Sequence, residues 1–247
     1  PDLHDIRPEL VFCGGKLVAR NGDPVGEWPV PVVDQSPVRD TIHVDWDSLN
    51  EHALRIPALG SRAHVIGVIE NQIVTNHLIE EITPENGRAV TDVERDILKM
   101  AVIERHLGTG NVGRGFIHGF GLKAGALATS VAHDHHNIVI VGVDDQSMYT
   151  AARAVGEMGG GFATANGGQV MAALPLPIAG LMSDQPAEAV GDAMAALQRS
   201  AAALGSVLPD PFMTLSFMAL EVIPTLKLTD QSLIDVEQFK PVKLFVE

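Results

Sequence analysis

Two hydrophobic periodicities alternate along the chain. His64 to Glu70, a break at Asn71-Gln72, and Ile73 to Ile79 read as a β-hairpin in which Val65, Ile73, Val74 and Ile79 supply β-branched bulk. Glu9 to Ala19 reads as strand, Gly14-Gly15 turn, strand, with a second tight turn at Asn21-Gly22-Asp23. Phe116 to Phe120, Ala126 to Ala132 and Ile138 to Val143 are three more strand-like runs, the last apolar throughout, as a strand buried on both faces would be. Met100 to His106 either prolongs a helix or forms a strand, and the glycine loop that follows favours the strand. Phe162 to Ala165 and Gln169 to Leu174 flank Asn166-Gly167-Gly168, a clear hairpin signal. Pro211 to Leu220 is apolar and partly strand-like, and Val242 to Val246 looks like a closing strand.

The helical period appears in fewer places. Thr91 with Glu94 fits a capping box and predicts a short helix through Leu98. Asp145 is placed to cap a helix whose apolar face is Met148, Ala152, Val155 and Met158, stopped by Gly159-Gly160-Gly161. After Pro186, the residues Val190, Met194, Leu197, Ala201 and Leu204 recur at helical spacing until Gly205. Strands outnumber helices and come in hairpins, so the predicted class is α+β, a mostly antiparallel sheet with flanking helices. Four prolines between Pro24 and Pro37 mark a linker, which divides the chain into a strand pair with linker at 1–33 and a main domain at 34–247.

Composition narrows the partners. A net charge of -14 disfavours nucleic acid and anionic membrane surfaces, both of which need a basic face. Cys13 is the single cysteine, expected to be packed within its strand; with no disulfide framework, this fits a cytoplasmic, reducing setting. No apolar run reaches the length of a membrane span, and no signal peptide opens the chain. The first residue is Pro1, which fits a trimmed start or a piece of a longer polypeptide.

The densest candidate chemistry lies between Glu104 and Asn137. Gly108-Thr109-Gly110-Asn111-Val112-Gly113 matches the dinucleotide fingerprint, with Asp134 about twenty residues on. That motif needs a helix after its last glycine to meet a pyrophosphate, and the period-two run Arg114 to Gly121 is wrong for one. A tight loop, or one lending backbone N–H groups to a ligand, is left. His133-Asp134-His135-His136-Asn137 brings imidazoles and a carboxylate together, a combination suited to catalysis, substrate contact or metal ligation. On a strand His133 and His135 share a face, and His133 meets His136 only at a turn. The cluster lacks a third metal ligand at a recognisable spacing, and a solvated polar loop between two strands is the plain alternative. Glu104-Arg105-His106 is either an acid–base or anion-binding set or the solvated end of a strand.

Several blocks, AVIERHLGTGNVGRGFIHGFGL, GALATSVAHDHHNIVIVG, EMGGGFATANGGQV, LPLPIAGLMSD and DPFMTLSFMALEVIP, resemble the C-terminal part of bacterial adenine deaminases of the amidohydrolase superfamily, in order from about Ile66 to Glu247. The opening ELVFCGGKLVARNGD resembles the strand pair of an amidohydrolase-type β-sandwich. The family pattern is closer to AHDSHN, so His133, Asp134, His136 and Asn137 match and His135 departs. The resemblance implies hydrolysis of adenine to hypoxanthine and ammonia by a homo-oligomeric enzyme whose divalent metal (manganese, iron or zinc) activates water at C6 of the purine. The metal ligands of that family lie in a (β/α) barrel, which this chain lacks, so none is assigned here. The chain is then the C-terminal piece of a longer enzyme or half of a split one, inactive alone and completed by the missing barrel segment. His133, Asp134 and His136 are its candidate catalytic residues; Glu104, Arg105, His106 and Asn137 are candidates for binding substrate. The alternatives are a structural or dimerising domain and a stand-alone purine-binding module.

Overall fold

The computed structural model describes residues 6–26 and 33–246. It divides into two compact units, Pro1–Gln35 and Ser36–Glu247. The smaller is an antiparallel meander of β1 (Leu10–Cys13), β2 (Lys16–Arg20) and β3 (Asp23–Pro24), turning at Gly14-Gly15 and Asn21-Gly22 as their spacing predicts. Cys13 is exposed, not packed, as are the other residues of β1. Residues 27–32 of the proline linker lie outside the described residues.

In the larger unit β4 (Ile56–Pro57) precedes the hairpin β5 (Arg62–Val68) and β6 (Thr75–Glu81). The short β7 (Pro84–Glu85) and β8 (Arg88–Ala89) follow, then β9 (Ile97–Ile103), β10 (Val112–His118), β11 (Ala126–Thr129) and β12 (Ile138–Gly142). Helix α1 (Asp145–Glu157) leads to the hairpin β13 (Gly161–Asn166) and β14 (Gln169–Pro175), then α2 (Ala187–Ala203) and α3 (Pro211–Ser216). A meander of β15 (Leu226–Leu228), β16 (Leu233–Asp235) and β17 (Lys240–Val242) closes the chain.

Eight strands form the central sheet, in the order β14-β13-β11-β12-β9-β10-β5-β6. All its pairings are antiparallel except β10 with β5. The sheet is covered on both faces, which explains the uninterrupted apolar run in β12. Ala101, Ile103, Ala126, Ala128, Ile138 and Ile140 pack under Met148, Ala152 and Val155 of α1. Their neighbours Met100, Val102, Leu127, Val139 and Val141 face the opposite way, onto Leu197 of α2, Phe212 of α3 and Leu226 of β15. The period of two therefore divides each central strand between two cores.

Four local expectations fail. Residues 91–96 form a turn, not a helix: the Thr91 hydroxyl donates to the Val143 carbonyl at 2.7 Å, and Asp96 takes a positive φ that ends any helical turn before β9. The cap of α1 is Asp144, one residue early, accepting from the Ser147 N–H at 2.8 Å. Pro211–Ser216 is helical because Asp210 caps it, accepting from the Met213 N–H at 3.0 Å, with proline at the first position. The closing strand ends at Val242, and beyond it Phe245 makes an isolated bridge to Ala63.

Candidate functional site

Residues 104–111 connect β9 to β10, and residues 130–137 connect β11 to β12. Because β9 lies between β10 and β12, and Ile103 at its end pairs with Val112 and Ile138, both connections emerge at the same end of the central strands. Adjacency in the sheet is thus what joins two sequence clusters some thirty residues apart.

The first connection folds around a carboxylate. Glu104 is buried and accepts from the N–H groups of His106, Leu107 (2.8 Å) and Thr109 (3.0 Å) and from the Thr109 hydroxyl (3.0 Å). Burial would raise its pKa, but the hydrogen bonds from Thr109, Leu107 and His106 outweigh it and bring the carboxyl down to about 2. Backbone N–H groups of the glycine loop therefore point at the chain's own anion. The helix that a pyrophosphate site needs is absent, since Val112 and Gly113 already pair with β9 as the start of β10. A cavity of about 260 Å³ lies beside this loop, between Gly108–Gly110 and the Val44–Ala53 segment; residues 133–137 do not line it.

Arg105 is the largest fully buried polar side chain, 2% exposed, so the solvated-strand-end reading fails for it and for Glu104. Its Nε donates to the His136 carbonyl, Nη1 to the Thr41 carbonyl (3.2 Å) and hydroxyl (3.3 Å), and Nη2 to the Ala179 carbonyl (3.1 Å). The Arg105 N–H donates to Asn137 Oδ1 at 3.3 Å, and its carbonyl accepts from the His43 N–H at 2.7 Å. One guanidinium thus ties four segments together. Gly180 makes room for it: a Cβ there would lie 2.8 Å from Arg105 Nη1, at a φ of +73°.

The second connection carries the histidines. His133 is half-buried, its ring 4.5 Å from that of Phe217 and 6.1 Å from that of His136, and its N–H donates to the Ser216 carbonyl at 3.0 Å. His136 is half-buried at a positive φ; its Nδ1 accepts from the Ala132 N–H at 3.3 Å, which leaves the ring proton on Nε2. Burial, the Arg105 guanidinium and His133 lower its pKa, so the ring is neutral at neutral pH. His135 and Asp134 are exposed; His135 Nε2 pairs with Glu221 at 2.6 Å, and the His135 carbonyl faces His106 Nε2 at 2.7 Å. Asn137 is buried and its Nδ2 donates to Asp230 at 3.3 Å. Among the described residues, neither the Asp134 carboxylate nor the His133 ring nitrogens have a hydrogen-bond partner.

The structure therefore gathers all seven sequence candidates at one end of the central strands and sorts them. Glu104, Arg105 and Asn137 spend their polar atoms on the chain itself. His133, Asp134 and the Nε2 of His136 leave donors and acceptors that a flat polar ligand could meet. Thr41, Phe217, Glu221 and Asp230 also belong to the site; no local pattern around them signals partners up to 93 residues away. No group of three or more His, Cys, Asp or Glu among the described residues could hold a metal ion.

Sequence comparison gives this geometry a context. The adenine deaminase C-terminal domain family matches residues 72–240. The adenine deaminase of Desulfatibacillum aliphaticivorans is 48% identical over 246 residues, covering 99% of this chain and 42% of that protein. Adenine deaminase 2 of Carboxydothermus hydrogenoformans is 48% identical over 98% of this chain, and the adenine deaminase of Methanothrix thermoacetophila 44% identical over 99%. The chain spans 42% of the length of each of these three relatives.

Proposed function

The chain belongs to the adenine deaminase C-terminal domain family, and from that premise we propose that it forms the carboxy-terminal part of an enzyme that converts adenine and water to hypoxanthine and ammonia. Identity of 44–48% across nearly the whole chain to proteins of that name supports the reading. The observation that carries it at residue level is the contrast between spent and unspent polar groups. Glu104, Arg105 and Asn137 hold the two connections rigid, and His133, Asp134 and His136 are left facing outward with hydrogen-bonding capacity.

In this reading the purine is oriented by that second group. Asp134 accepts from the exocyclic amine or a ring N–H. The neutral His136 donates from Nε2 to a ring nitrogen, and His133 exchanges a proton with the leaving amine. The substrate-binding role expected of Glu104, Arg105, His106 and Asn137 becomes indirect, through the loop geometry they maintain. Deamination of this kind uses a divalent metal, manganese, iron or zinc. No group of side chains among the described residues fits one, and in this reading the ligands belong to an amidohydrolase barrel segment outside this chain. The β1–β2 pair is assigned to the β-sandwich that accompanies such a barrel. The remaining partners are adenine and further copies of the enzyme in a cytoplasmic homo-oligomer, with neither nucleic acid nor membrane; no helix among the described residues is long and apolar enough to cross one.

One observation favours a second reading, a structural domain: Asp134 and His135 are exposed, and the cavity beside Glu104 excludes residues 133–137. Kinetics distinguish the two. The chain joined to the amino-terminal part of the Desulfatibacillum relative is assayed with adenine as wild type, His133→Ala and Asp134→Ala. Loss of an acid–base group lowers kcat/KM by about 100-fold or more. Wild-type kinetics in both variants would remove these residues from the mechanism and leave the structural reading.

A further inference from the structure

Lys227 is buried in β15 at 0% exposure, and no carboxylate pairs with it among the described residues. Its Nζ donates to the carbonyl of Ile73 at 2.8 Å and to that of Phe217 at 3.0 Å. An ammonium taken out of water without a counter-ion is costly, and an apolar residue of similar length normally serves a core better. Here burial alone pushes the group down to about 8, so it stays protonated at neutral pH.

We propose that Lys227 is a positioning residue: by binding the carbonyls of Ile73 and Phe217 together it fixes the Phe217 ring against His133. The two carbonyls come from separate segments of the chain, both held beside β15, and the ammonium is the one group that touches both carbonyls among the described residues. Ile73 lies in the turn of the β5–β6 hairpin, and Phe217 is the residue at which α3 ends; its carbonyl, which has no partner within the helix, accepts from the Leu220 N–H at 3.3 Å and more closely from Lys227. A cation at a helix C-terminus is favoured there, and lysine's flexible stem delivers several donors from inside the core.

The strand itself does not need the lysine. The Thr75 hydroxyl donates to the Leu226 carbonyl at 2.9 Å and accepts from the N–H groups of Thr225 (3.1 Å) and Leu226 (3.2 Å), and the Leu228 N–H donates to the Met218 carbonyl at 3.2 Å. With β15 already anchored, the ammonium is left to act on Phe217. From there the path to the histidine cluster is short. The Phe217 ring lies 4.5 Å from His133, and the residue before it accepts the His133 N–H. Ile73 and Phe217 also both line a cavity of about 240 Å³.

This inference rests on the reading of His133 as a substrate-facing group, and its test is independent of that reading. The ring signals of His133 are followed by NMR in the folded chain, with His52 as a distant control and Phe217→Leu as the reference for a His133 that has lost its aromatic neighbour. Lys227→Met should move the His133 signals toward that reference and leave His52 in place, and Lys227→Arg, which retains a cation and several donors, should restore most of the wild-type position. If Lys227→Met does not fold, Lys227→Gln takes its place and should shift the signals in the same direction. His133 signals unchanged in a folded Met or Gln variant would overturn the proposal. If the signals move but kcat/KM of the joined enzyme does not, the positioning role stands and the function assigned to His133 falls.

Discussion

Replacing Glu104 with glutamine should expose how much of the site's stability rests on one carboxylate. Glutamine preserves size and one acceptor oxygen but loses the charge that three backbone N–H groups and the Thr109 hydroxyl converge on. The fall from the ordinary 4.5 to about 2, at about 1.4 kcal/mol per pH unit, corresponds to about 3 kcal/mol at neutral pH. Glu104 as a residue is 8% exposed, so solvent screening trims this figure without removing it. Because the folded-state pKa is depressed, the contribution is complete above the unfolded value near 4.5 and drains away as pH falls through about 2. Denaturant unfolding of wild type and Glu104→Gln at a series of pH values tests this directly. The gap should be about 3 kcal/mol at pH 7 and should narrow steadily below about pH 4.5. A gap that is absent at pH 7, or that holds constant down to about pH 2, would refute the view of the loop as a nest around an ionised carboxylate.

Arg105→Met should destabilise the chain by about 3 kcal/mol or more, since it strands the carbonyls of His136, Thr41 and Ala179, and Arg105→Lys should not rescue it because the planar fork is lost; unfolding midpoints check both. Gly180→Ala should cost about 2 kcal/mol through its positive φ and the clash with Arg105, against about 1 kcal/mol for Gly167→Ala, where a Cβ meets nothing within 4 Å; paired thermal melts give the comparison. Asp134→Asn should leave stability within about 0.5 kcal/mol of wild type, because the exposed carboxylate has no partner among the described residues, yet should lower kcat/KM for adenine in the joined enzyme.

Most of the sheet was legible because its strands follow local rules. The Asn166-Gly167-Gly168 hairpin, the β5–β6 pair and the apolar β12 all announce themselves by turn chemistry or β-branched runs. The failures come where tertiary contacts override a local signal. Thr91 has the chemistry of a cap but spends its hydroxyl on Val143, the residue that follows the neighbouring strand β12. Pro211–Ser216 is apolar enough for a strand, and the Asp210 cap with proline behind it decides for helix. At the site, the sequence pointed to both polar clusters but not to the division of labour between them. Nothing within Glu104-Arg105-His106 distinguishes a buried clamp from a substrate contact. That difference is made by Thr41, Gly180 and Ala179, which approach only once the chain has folded.

The central claim, that this chain completes an adenine deaminase, is tested most directly by ammonia release from adenine in three samples: this chain alone, the amino-terminal part of the Desulfatibacillum relative alone, and the two assembled, each supplied with manganese, iron or zinc. The account predicts turnover in the assembly and none in either part. Turnover by the amino-terminal part at the assembly's rate, or a folded, metal-loaded assembly that releases no ammonia, would contradict it.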